Sequence, residues 1–113
     1  MPIVKIKYDQ KVEDLDLIQI LRTNLPQLII DALKTTDVEL SRDNVDLDFK
    51  EAHRYDIGRN LRILVLATDY PERVENVDKR SAWLRGRVKE LIGDDSITVA
   101  TPIMLVKFGI SGG

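Results

Sequence analysis

The hydrophobic period changes several times along this chain, and the changes fall into two similar halves. From Ile3 to Tyr8, Val4, Ile6 and Tyr8 alternate with Lys5 and Lys7, the period of two of a half-buried strand. Leu17, Ile18, Leu21, Leu25, Leu28, Ile29, Ala32 and Leu33 then recur at spacings of three, four and seven, which makes one wide apolar stripe on a helix. Asp14 suits the N-cap of that helix. Pro26 removes a backbone donor and predicts a kink or a restart near Asn24. The helix gives out in Thr35-Thr36-Asp37. Val45, Leu47 and Phe49 alternate with Asp46, Asp48 and Lys50, a second strand with one wet face. The polar connection His53 to Asn60, containing Gly58, closes the first half.

The second half repeats the order. Leu61 to Ala67 is nearly all apolar, as expected of a strand covered on both faces. Asp69-Tyr70-Pro71 marks a turn, and a helix follows from about Asn76 to Ile92, with Gly93 as its stop. Gly86 lies inside that helix at a cost of roughly 1 kcal/mol against Ala unless something packs closely there. Ile97 to Phe108 is a last extended segment, broken or bulged at Pro102. The expected fold is therefore α+β. Two right-handed βαβ units form a four-stranded sheet with two helices on one face, in a single domain spanning residues 1–113. The other sheet face is left for a partner subunit.

Composition narrows the function. The 113 residues hold no cysteine, so disulfides, thiolate metal sites and cysteine nucleophiles are excluded. Seventeen Lys and Arg against 19 Asp and Glu give a net charge of −2, which argues against nucleic acid as a partner. Aromatics make up only 5%, too few for the exposed platforms of an RNA-reading sheet. No apolar stretch approaches the ~20 residues of a membrane span, and the start MPIVKIKYDQ holds no signal core, so the expected location is the cytoplasm. The lone His53 has no second His or Cys beside it, and Asp43, Asp46 and Asp48 follow an outward strand face, so no metal is expected. Without a glycine-rich phosphate loop, no nucleotide cofactor is expected either.

The chemistry-bearing candidate is Pro2. Met before a small residue such as Pro is readily removed, which leaves a secondary amine held by a rigid ring at the start of a strand. An α-amino group titrates near ~8, and burial or a nearby Arg disfavours its charged form. A neutral amine near pH 7 can then serve as a general base. If Met1 stays, Pro2 is acylated and simply begins a strand.

Pro2-Ile3-Val4-Lys5-Ile6-Lys7-Tyr8, followed by an amphipathic helix and the Val45–Phe49 strand, resembles the tautomerase superfamily. Its length suits the branch of 5-carboxymethyl-2-hydroxymuconate isomerase and macrophage migration inhibitory factor. Leu61–Asp69 with Glu72-Arg73-Val74-Glu75 is similar to that family's second strand–turn–helix. The tail Phe108-Gly109-Ile110-Ser111-Gly112-Gly113 is similar to its closing hairpin.

The resemblance implies a cofactor-independent tautomerase or isomerase of small unsaturated 2-hydroxy or 2-keto acids. It also implies a homotrimer, with Pro2 as the base and cations binding the substrate carboxylate. Arg73, Arg59 and Arg62 are the candidates for that binding, with Phe108 beside them. Asp46 departs from the pattern, standing where short members carry an Arg. A non-catalytic ferredoxin-like binding or assembly module shares the element order. It would keep Met1 and tolerate Pro2→Ala.

Overall fold

The computed structural model describes residues 2–36, 38–53 and 58–107. Strand β1 (Ile3–Tyr8) leads into a short helix α1 (Gln10–Asp14) and a longer one, α2 (Ile18–Leu33). After a 3-10 turn at Arg42–Asn44 comes β2 (Asp46–Glu51). The second half contributes β3 (Leu61–Thr68), a short α3 (Pro71–Glu75), α4 (Val77–Ile92), β4 (Val99–Ala100) and β5 (Ile103–Val106).

Two helix expectations change. Asp14 does not cap the long helix: the N-cap of α2 is Leu17, without a side-chain bond, while Asp9 caps the separate α1 by accepting from the amides of Lys11 and Val12. Asp14 ends α1 and accepts from Gln10 instead. Asp16, at φ 55°, then turns the chain into α2; Asp enters this left-handed region at lower cost than most side chains. Helix α2 runs through Pro26 without a restart. Leu25 and Ile29 on either side are fully buried, so packing holds the helix where the proline lacks a donor.

The sheet order is β2-β1-β3-β4, and β5 continues alongside β3 beyond Thr101-Pro102. Strands β1 and β2 are parallel, as are β3 and β4 with β5, while the central pair β1–β3 is antiparallel. That is the doubled strand–helix–strand order. Strand alternation places Val4, Ile6, Leu61, Ile63, Val65 and Ala67 on one face, where they form one core with Leu21, Leu25, Ile29 and Leu33 of α2 and Leu84 and Val88 of α4. Burying each such Leu, Ile or Val contributes about 1.5–3 kcal/mol.

Strand β3 is covered on one face only in this protomer. Arg62 is exposed, and Leu64 and Leu66 are half-buried. They share the outer sheet face with Ile3, Lys5, Asp48 and the 53% exposed Met104. No helix among the described residues is long and apolar enough to cross a membrane.

Candidate active site

The antiparallel pairing of β1 with β3 fixes what surrounds Pro2. Ile3 lies opposite Leu66, so Pro2 stands abreast of Ala67 at the end of the sheet where β3 finishes. Pro2 is buried, and its carbonyl accepts from the Asp46 amide at 3.2 Å, which ties the first residues to β2. Asp46 itself pairs with Ile3 on the outer face and is exposed, as is Asp48. Continuing the alternation of Val4 and Ile6 puts Pro2 on the opposite, helix side.

Arg73 reaches the same end from α3. It is only 3% exposed. Its Nη1 donates to the Thr68 carbonyl at 3.0 Å and its Nε to the Leu33 carbonyl at 3.1 Å. The guanidinium lies 4.8 Å from the centre of the Tyr70 ring. Strand spacing and rise put the Thr68 carbonyl within about 10 Å of Pro2.

The reason the sequence folds this way lies in α2. That helix has no basic residue in its last turn, and Lys34 leaves it in an extended conformation. Its terminal carbonyls therefore need outside donors. Arg73 serves Leu33, and Arg80 serves Ala32 at 3.0 Å and Lys34 at 2.7 Å, so two cations meet the negative end of the helix. Burial lowers the Arg73 guanidinium below its ordinary value; Tyr70 opposes this, and the neighbouring Arg80 adds to it. Among the described residues no carboxylate pairs with Arg73. Its described partners are two backbone carbonyls and the face of the Tyr70 ring.

Arg59 and Arg62 lie elsewhere. Lys7 is the partner of Arg62 across β1–β3, five residues along from Pro2, or about 17 Å. Both arginines line a cavity of about 650 Å³ at that far end. Within one protomer Arg73 is bonded to the end of β3 beside which β1 starts, and Arg62 lies at the other end of that strand pair. Phe108 lies outside the described residues.

Arg80 and Arg85 on α4 hold backbone carbonyls. Arg85 donates to Val99 at 3.1 Å. Tyr70 and the Leu33 carbonyl had no sequence signal, because their roles arise only where α2 meets α3.

No protein-family model and no curated protein matches the sequence. Solved structures do. Malonate semialdehyde decarboxylase superposes at a TM-score of 0.66 with 13% identity, over 96% of this chain and 92% of its own. The fold is that of the tautomerase superfamily. A second tautomerase-fold neighbour is Pt0534 inactivated by 2-oxo-3-pentynoate, at 0.65 and 15% identity, covering 98% and 93%. A third is a fused 4-OT solved as an asymmetric trimer, at 0.60 and 17% identity, covering 98% and 94%.

Proposed function

We propose that this chain, as one domain, is a cofactor-independent tautomerase or isomerase of small unsaturated 2-hydroxy or 2-keto acids, with Pro2 as general base. The observation that carries the reading is the buried Arg73, without a carboxylate partner among the described residues, at the sheet end where Pro2 begins β1. A substrate carboxylate on Arg73 supplies the missing anion. The Pro2 nitrogen, freed of Met1, takes the proton from the enol oxygen or the α-carbon. It returns the proton one or two bonds away, and the negative charge of the dienolate is steadied by the same guanidinium.

Similar structures support this reading, since malonate semialdehyde and 2-oxo-3-pentynoate are small carbonyl compounds handled on this fold. The chain works as a homotrimer that covers the outer sheet face carrying Ile3, Leu64, Leu66 and Met104, as a fused 4-OT does in assembling as a trimer. It needs no metal and acts in the cytoplasm.

The test is enol–keto conversion of phenylenolpyruvate by the untagged protein. Pro2→Ala lowers kcat/KM by about 100-fold or more. Equal rates would remove Pro2 from the mechanism. The hydrogen bonds of Arg73 and Arg80 to the end of α2 favour a second reading, a non-catalytic module in which both arginines are purely structural. A mature chain that retains Met1 selects that reading.

A further inference from the structure

The two halves of the chain make the Pro2 end of the sheet only one of two comparable ends. Strands β1 and β3 are antiparallel, and each has a parallel partner on its outer side. A half-turn between them carries the start of β1 onto the start of β3, so that Ile3 beside Asp46 maps to Arg62 beside Ala100. The cavity of about 650 Å³ lies at this second end, within the size range of small-molecule sites.

Its lining differs in charge from the rest of the molecule. Lys7, Arg59, Arg62 and Arg85 face it together with Asp9 and Asp78. The Asp9 carboxylate is already occupied, capping α1 and accepting from the Asn60 side chain at 2.6 Å. Among the described residues the lining therefore carries four cationic and two carboxylate side chains, on a chain whose net charge is −2. Low-dielectric walls focus such a local field toward an anion. The walls are also held in place. Asn60 exchanges hydrogen bonds with Thr98 at 2.9 Å in both directions, and Ser81 and Thr101 bond each other's carbonyls at 2.6 and 2.9 Å. Neither the Arg59 nor the Arg62 guanidinium has a hydrogen-bonding or ionic partner among the described residues.

We propose that this second cavity binds a small anion carrying two negative charges, a dicarboxylate or a phosphate monoester, on Arg59 and Arg62. Leu61 stands where the half-turn would place Pro2, in mid-chain, so no terminal amine is there. The cavity binds without doing proton-transfer chemistry. This assignment does not depend on the function of Pro2.

Calorimetric titration of the intact protein with succinate and, separately, with inorganic phosphate tests it. Saturable binding is expected, weakened about tenfold or more by the double variant Arg59→Gln/Arg62→Gln and unchanged by Arg22→Gln, an exposed arginine on α2. Whichever probe binds more tightly identifies carboxylate or phosphate as the group recognised. Both substituted side chains are exposed, and an unaltered circular dichroism spectrum confirms that the variant is folded. Absence of saturable binding by either probe overturns the proposal, and so does equal affinity in the double variant. Neither result bears on phenylenolpyruvate turnover, which reads the Pro2 end alone.

Discussion

Arg73→Ala tests what this arginine does for the fold separately from its proposed hold on a substrate. The substitution strips the Leu33 carbonyl of its donor at a buried helix end, a loss of about 1–3 kcal/mol. The Thr68 carbonyl keeps the Tyr70 amide at 3.0 Å, so its share is smaller, about 0.5–1 kcal/mol. Losing the contact with the Tyr70 ring adds about 0.5 kcal/mol or more. Relief of a desolvated charge offsets part of this, leaving a net destabilisation of about 1–4 kcal/mol. Urea denaturation followed by circular dichroism measures it as a lower midpoint at unchanged slope. Arg73→Lys keeps the charge without the forked geometry and falls between wild type and Arg73→Ala in stability, while phenylenolpyruvate turnover falls for both. A loss below about 0.5 kcal/mol for Arg73→Ala, the size of an ordinary surface change, would refute the claim that Arg73 closes the end of α2.

Other outcomes follow from single positions. Gly93, at φ 66°, ends α4 in the left-handed region, so Gly93→Ala costs about 1 kcal/mol in thermal or urea denaturation. Gly86 has nothing within 4 Å of where a Cβ would stand, so Gly86→Ala stabilises the helix by about 0.5–1 kcal/mol in the same assay. Met104→Asp on the outer sheet face lowers the assembled mass seen by light scattering, whereas an unchanged trimer would place the subunit contact elsewhere. The side chain and amide of Ser96 hold the Asp94 carboxyl below its ordinary value. A carboxyl lowered on folding stabilises above its unfolded titration and loses that contribution as pH falls through its folded one. Ser96→Ala therefore moves the Asp94 titration upward in carbon-detected NMR.

The sequence disclosed the fold wherever local period and burial agree. Val4 and Ile6 against Lys5 and Lys7 gave β1 and its inward face, and the stripe from Leu17 to Leu33 gave α2. Pro102 marked the break between β4 and β5. Long-range packing decided the rest. Pro26 has no local remedy in its own segment, yet the burial of Leu25 and Ile29 keeps α2 continuous. The apolar run of β3 fits a strand covered on both faces, but one chain supplies only the helix side, so Leu64 and Leu66 are half-buried. Arg73 could be named from its motif, while its hydrogen bonds could not, because Leu33 lies 40 residues away. Arg59 and Arg62 look close to Arg73 in sequence order. The antiparallel β1–β3 register carries them to the other end of the sheet.

The proposed catalysis requires an uncharged terminal nitrogen at Pro2. Treating the untagged protein with 2-oxo-3-pentynoate and mapping the modified peptide by mass spectrometry tests this most directly. The predicted result is a single adduct on a peptide that begins at Pro2, formed in step with loss of phenylenolpyruvate turnover and slowed by Arg73→Lys. An N-terminal peptide that still carries Met1, or that begins at Pro2 and stays unmodified while turnover persists, would contradict it.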